Sequence, residues 1–96
     1  MSDFVAIDFE TANTDKASAC SIGVVQFNKT RINKKFESLI RPPKHIDHLR
    51  SDFYRIHGIS RKSYIKSENF PLVWENSYRG FTGFEKTLIL GLFWAL

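Results

Sequence analysis

The strongest constraint on the fold of this chain is an apolar run near its start that ends in two carboxylates. Residues 3–11 read Asp-Phe-Val-Ala-Ile-Asp-Phe-Glu-Thr. The unbroken apolar stretch is typical of a central strand covered on both faces of an α/β sheet. Because side chains alternate along a strand, Asp8 and Glu10 share one face. Two like charges there are unfavourable unless a cation lies between them, so the pair predicts a Mg²⁺ or Mn²⁺ site, with a solvated polar face as the alternative.

The rest of the chain predicts a single α/β domain with the element order β-β-β-α-α-β. A polar turn joins the second and third strands, which indicates an antiparallel hairpin. The last strand is expected to pair beside the first. The segment 60–69 predicts a loop in which Ser60 caps a single helical turn. The predicted strands cover residues 21–27, 32–40 and 88–95, and the predicted helices cover residues 44–57 and a stretch that begins at Phe70 and carries Trp74, Tyr78, Phe81, Phe84 and Leu88 on one stripe.

Charge is distributed unevenly along the chain. The first fifteen residues contain four acids and no base, whereas residues 29–66 contain eleven Lys and Arg residues. An acidic metal site beside a basic surface suits the hydrolysis of a polyanion, although the same bases serve equally as solubilising residues. The only cysteine, Cys20, excludes an internal disulfide, so we expect a small core residue and a reducing, cytoplasmic compartment. The apolar segment 88–96 is shorter than the ~20 residues of a membrane-spanning helix, so no membrane association is expected.

Five segments carry the motifs of one enzyme family in that family's order. Phe-Val-Ala-Ile-Asp-Phe-Glu-Thr-Ala at residues 4–12 looks like a first exonuclease motif, and the others lie at residues 22–27, 36–42, 53–60 and 70–75. Together they resemble the N-terminal half of the DEDD-type 3′–5′ exonucleases, the group of the epsilon subunit of DNA polymerase III and ribonuclease T. The resemblance implies a truncated RNase H-like (exonuclease) fold and two-metal-ion hydrolysis of a terminal phosphodiester.

The resemblance also assigns roles to individual residues. It implies that Asp8 and Glu10 are the catalytic residues and ligate Mg²⁺ or Mn²⁺. Thr11 would contact the terminal nucleotide, and Ile56 and His57 would line the pocket for the last base or sugar. From spacing alone, His57 before Gly58 is better explained as a helix C-terminal cap. The implied partners are the 3′ end of DNA or RNA and a polymerase subunit.

The chain departs from the family beyond its first motifs. No Asp follows Asp52 and no His follows His57, whereas the family has later Asp and His motifs. We therefore interpret residues 1–96 as a single partial exonuclease domain, from a truncated or frameshifted reading frame, with little activity alone unless Glu85 or a second chain supplies the missing carboxylates. The alternative is a non-catalytic remnant that binds nucleic acid or a partner. An uncovered sheet edge would favour self-association.

A phosphatase of the aspartyl-phosphate type is a third alternative. Its strand-end motif is Asp-x-Asp-x-Thr. Here Glu10 replaces the second Asp and Thr11 follows it immediately, so both positions are wrong for that chemistry.

Overall fold

The computed structural model describes residues 4–80 and 88–93, which form a four-stranded sheet and three helices. The spatial order of the strands is β3-β2-β1-β4. β1 pairs antiparallel with β2 and parallel with β4, and β2 pairs antiparallel with β3. The predicted hairpin and the predicted pairing of the last strand with the first are therefore confirmed. The strands are β1 Phe4–Thr11, β2 Ala19–Asn28, β3 Arg31–Leu39 and β4 Leu88–Phe93.

The first predicted helix is shorter in the structure than the segment 44–57. A 3-10 turn covers Lys44–Ile46, and the α-helix α1 covers only Ser51–His57. The segment between the 3-10 turn and α1 forms hydrogen bonds with the loop after β1 instead of helical ones. The carbonyls of Ile46 and His48 accept from the side-chain amide of Asn13, and the Arg50 amide donates to the carbonyl of Ala12 at 2.9 Å. These tertiary hydrogen bonds replace the helical ones, so the apolar periodicity overestimated the helix.

The helix ends follow local capping rules. Gly58 ends α1 in a left-handed conformation with φ 71°, and its amide donates to the carbonyl of Tyr54. The Ser60 side chain accepts from the Ser63 amide and so caps α2 (Arg61–Tyr64), as the sequence predicted. The Asn69 side chain accepts from the Leu72 amide at the start of α3 (Phe70–Gly80).

One face of the sheet forms the core. Helix α3 packs Val73 onto it, and Trp74 lies partly buried against the same cluster, as expected of a core residue. The buried residues of this cluster are Val5, Ile7, Phe9, Ala19, Ile22, Val24, Ile40 and Val73. On the opposite face Ala6 is only partly buried and Asp8 is exposed, so within the described residues β1 is covered on one face rather than two.

A second buried cluster ties the helical segment to the end of the sheet. Ala12, Cys20 and Tyr64 are each 0% exposed, and the Tyr64 hydroxyl donates to the carbonyl of Asp47 at 2.6 Å. Cys20 is therefore the core residue that the sequence predicted, and burial raises the pKa of its thiol to about 12. These contacts hold α1 and α2 beside the last residues of β1.

Part of the predicted apolar stripe, Phe81 and Phe84, and the acid Glu85 lie outside the described residues. Among the helices that are described, none is long and apolar enough to cross a membrane.

Candidate functional site

Asp8 and Glu10 open onto a cavity on the uncovered face of the sheet. Asp8 pairs with Gly23 of β2, and Gly23 pairs in turn with Glu37 of β3, so these three residues form one row across the sheet. The cavity has a volume of about 450 Å³. Its lining is Asp8, Glu10, Ser21, Ile22, Gly23, Glu37, Ser38 and Leu39. The two carboxylates predicted from the sequence therefore share a face, and a third carboxylate borders the same space.

Glu10 is electrostatically strained in this position. Its Oε2 atom is buried and has no hydrogen-bond partner among the described residues. Burial raises the pKa of the Glu10 carboxyl, the neighbouring Asp8 charge raises it further, and His57 partly offsets the rise. An orphaned carboxylate oxygen beside a second carboxylate is a place where a positive group is favourable.

The donor set fits one divalent cation better than two. Asp8 and Glu10 supply the carboxylate oxygens that Mg²⁺ and Mn²⁺ prefer, and the unpartnered Oε2 of Glu10 is free to bind. Within residues 4–80 and 88–93, however, no three His, Cys, Asp or Glu side chains converge closely enough to hold a metal ion. Glu37 borders the cavity without joining such a group.

His57 connects helix α1 to the end of β1. Its Nε2 atom lies 3.0 Å from the carbonyl oxygen of Thr11, and its Nδ1 atom accepts a hydrogen bond from the Ile59 amide at 2.9 Å. Because an amide can only donate, Nδ1 must be the unprotonated nitrogen, and Nε2 carries the proton that is donated to Thr11. Both ring nitrogens are therefore engaged outside the helix, and neither bonds to a carbonyl of α1. The expected helix cap is made instead by the Gly58 amide, which donates to the Tyr54 carbonyl.

The other two predicted contact residues differ in accessibility. Thr11 is only 4% exposed and its carbonyl is already bonded to His57, and neither Thr11 nor Ile56 lines the cavity around Asp8 and Glu10. Ile56 is 57% exposed on α1, next to His57 in the sequence. An exposed apolar side chain of this size is available to pack against a ligand.

Asn13 forms hydrogen bonds that fix the loop after β1, a role that the sequence did not predict. Its side-chain amide donates to the carbonyls of Ile46 and His48 at 2.9 and 2.8 Å, and its Oδ1 accepts from the Asp15 amide. The Ser18 hydroxyl and the Asn13 amide bond within the same loop. This buried network fixes the loop after β1, and hence the direction in which Glu10 and Thr11 emerge.

Sequence reasoning also missed Gly23 and Glu37 as neighbours of the carboxylates. The relevant signal is the hairpin register, since residues opposite each other on paired strands share a face, but the sequence alone gives a register that is wrong by one residue. Counting outward from the turn would pair Gly23 with Phe36. A bulge between Gln26 and Phe27 shifts the register by one residue and brings Glu37 into the row instead.

Comparisons with known proteins give a structural match without a sequence match. No family model matches the chain, and no curated protein does. A full-length 3′-exonuclease superposes with a TM-score of 0.67 and 21% identity, over 80% of this chain and 37% of that one. Cell-death related nuclease 4 (CRN-4) gives 0.67 and 20%, over 82% and 29%. The nuclease domain of 3′hExo, a DEDDh family member whose structure holds rAMP, gives 0.67 and 21%, over 81% and 42%.

The chain thus spans less than half the length of each of these solved structures. At such low identity the likeness establishes the arrangement of strands and helices, and it does not distinguish an epsilon-like or ribonuclease T-like subgroup. Within the described residues this arrangement has the strand order β3-β2-β1-β4, with α3 packed on one face of the sheet. The chain has the RNase H-like fold of the 3′-exonucleases, in partial form.

Proposed function

We propose that this chain is the first-motif part of a 3′–5′ exonuclease domain that acts on single-stranded or terminal nucleic acid. The observation that carries the proposal is the buried Oε2 of Glu10, which lacks a partner among the described residues and lies beside Asp8 in an open cavity. The fold it shares with 3′-exonucleases supports the same chemistry, and one of those proteins is described as recognising the 3′ end of a histone mRNA stem-loop.

Asp8 and Glu10 would hold Mg²⁺ or Mn²⁺. When bound, such a cation stabilises charge on phosphoryl oxygens and lowers the pKa of a bound water. The carboxylates would position it at the end of β1, where the Nε2 proton of His57 fixes the Thr11 carbonyl by a hydrogen bond. Ile56 would pack against the terminal base. His57 contributes only its ring edge and face, because both nitrogens are engaged.

A second function is favoured by one specific observation. The described residues bring two carboxylates together, whereas a pair of metal ions about 3.5–4 Å apart needs several. A domain with this fold and one weak cation site would bind nucleic acid without cleaving it. This binding-only function uses the same face of the sheet, so the two candidates differ in chemistry rather than in location.

The decisive experiment uses a 5′-labelled single-stranded oligonucleotide with Mg²⁺, with Mn²⁺ and with chelator. Asp8→Asn and Glu10→Gln are compared with Asp52→Asn, a matched loss of one exposed carboxylate on α1. The exonuclease proposal expects a ladder from the 3′ end with wild type and Asp52→Asn and none with the other two. Metal-independent binding without a ladder would support the binding-only function. Neither cleavage nor binding would overturn both.

A further inference from the structure

A larger cavity lies on the opposite face of the sheet from the carboxylates. It has a volume of about 680 Å³, within the usual range for ligand pockets. Phe9, the residue between Asp8 and Glu10, forms part of its floor, so strand alternation directs the carboxylates to one face and this cavity to the other. The proposed exonuclease chemistry does not use it.

The interior of this cavity is apolar and rigid. Phe70, which is 40% exposed, contributes its ring, held 6.0 Å from the rings of both Phe9 and Trp74 between centroids. Pro42 and Pro43 form one wall, and proline rings have little freedom to lose on binding. The Arg41 amide donates to the Glu68 carbonyl, which ties this wall to the start of α3.

The rim of the cavity is positively charged. Lys16 comes from the loop between β1 and β2, and Arg41 and Lys44 come from the segment after β3. No acidic residue belongs to the lining, and none of these three side chains forms an ion pair with a described residue. Three unneutralised cations around an apolar interior complement a partner that is apolar at its centre and acidic around it.

We propose that this cavity, bounded by Phe9, Ile40, Phe70 and the prolines, docks an acidic peptide segment of a partner protein through one aromatic or branched aliphatic side chain. A peptide fits better than a nucleobase, because a base buried among proline and phenyl groups would leave its ring nitrogens and exocyclic groups unpaired. It also fits better than a small amphiphile with one carboxylate, because three cations border the cavity and a single carboxylate cannot match their combined charge.

The test measures binding of a fluorescein-labelled peptide with a central Phe-Leu pair flanked by Glu residues, by fluorescence anisotropy on the full chain. One control peptide replaces Phe-Leu by Ser-Ser and another replaces every Glu by Lys. Both controls are expected to bind at least about tenfold more weakly, because each removes one half of the complementarity. Equal binding of the serine peptide would overturn the proposal in favour of a purely electrostatic contact.

Two variants separate the apolar interior from the rim. Ala17→Trp fills the cavity from an exposed loop position, and Lys16→Glu with Lys44→Glu reverses most of the rim charge. Each is expected to weaken binding of the Glu peptide by about tenfold or more. Lys62→Glu with Lys66→Glu, a matched double charge reversal at exposed residues outside the cavity lining, leaves that binding unchanged. Thermal unfolding of each variant confirms that it folds.

A single-stranded oligothymidylate serves as the competing probe. The proposal expects no displacement of the Glu peptide by it, and amide chemical-shift changes at Ala17, Ile40 and Phe70 rather than at Asp8 and Glu10 when the peptide binds. If the oligonucleotide displaced the Glu peptide from the wild type, and the rim variant no longer bound the oligonucleotide, the proposal would be overturned. The cavity would then be a nucleic-acid surface. No peptide binding would overturn it outright.

Discussion

Two cavities lie on opposite faces of β1, and they differ in charge and polarity. Asp8 and Glu10 face a cavity that Glu37 also lines, and one buried oxygen of Glu10 has no partner among the described residues. Phe9, between them in the sequence, faces an apolar cavity with a cationic rim. Alternation along β1 directs the carboxylates to one face and the apolar Phe9 to the other, while the cations of the rim come from segments outside β1.

The two faces of the sheet therefore have different roles. The Phe9 face contains the packed core and supplies the stability, because its residues exclude water against α3. The Asp8 face contains groups that stability alone would not select, namely like charges, a glycine in a strand and an orphaned carboxylate oxygen. Four substitutions test this division between a packed face and a carboxylate face.

The largest effect is expected from Ile22→Ala on the packed face. Ile22 is 2% exposed in the core cluster, so its truncation leaves a cavity and should lower the free energy of unfolding by about 2–5 kcal/mol. Ile32→Ala is the matched control, because Ile32 is 53% exposed and should change stability by less than about 0.5 kcal/mol. Urea unfolding measures both. Similar losses from the two variants would mean that the faces do not divide the work as described.

A smaller loss is expected from Asn13→Ala. Two carbonyls, of Ile46 and His48, would lose a buried amide donor, at a cost of about 1–3 kcal/mol. Hydrogen exchange at the Arg50 amide, which bonds to Ala12, should accelerate in the same variant because the loop after β1 is released. Asn33→Ala, which removes a 3.4 Å side-chain bond to Gln26, serves as the control. Unchanged exchange at Arg50 would show that the loop is held by other contacts.

Sequence reasoning succeeded where one strand or one cap determined the outcome. The face shared by Asp8 and Glu10, the stop at Gly58 and the cap at Ser60 all follow from local patterns. It failed where a contact distant in the sequence competed with a local preference. Asn13 shortens the helix predicted at 44–57, and nothing within that segment signals it.

The row of residues around the site was hidden for a related reason. Whether Phe36 or Glu37 lies opposite Gly23 depends on a bulge between Gln26 and Phe27, and a shift of one residue exchanges the two faces of β3. Lys29 in the turn has φ 60°, a left-handed backbone conformation that is uncommon for lysine and could not be predicted from the residue type. The predicted roles of Thr11, Ile56 and His57 as substrate contacts stay predictions, since they concern a ligand rather than the fold.

Gly23→Ala is expected to stabilise the protein while weakening the proposed binding or cleavage of nucleic acid. A methyl group at this position would meet no atom within 4 Å, and alanine is favoured over glycine in a strand by about 0.5–1 kcal/mol. The same methyl group would enter the space between Asp8 and Glu37, so oligonucleotide binding or cleavage should fall. Thermal unfolding and anisotropy measure the two effects. A variant that is more stable and equally active would show that the glycine does not reserve room for a ligand.

The smallest effect is expected from Glu10→Gln. It is measured in the presence of chelator, as a change in the pH dependence of the free energy of unfolding. Because the pKa of Glu10 is raised in the folded protein, the folded state holds its proton to higher pH than the unfolded state does. The free energy of unfolding therefore falls as pH rises from about 4.5 through the raised pKa and then levels off. Glu10→Gln removes that fall, and Asp8→Asn reduces it by removing the neighbouring charge. Asp52→Asn changes the profile in the opposite sense. The hydrogen bond from Arg50 lowers the pKa of Asp52, so the contribution of Asp52 to stability grows as pH rises.

Added Mg²⁺ should stabilise the wild type at neutral pH and leave the stability of Glu10→Gln unchanged, because a ligand stabilises only a protein that binds it. If wild type and Glu10→Gln gave the same profile and the same response to Mg²⁺, the carboxylate face would be an ordinary solvated surface.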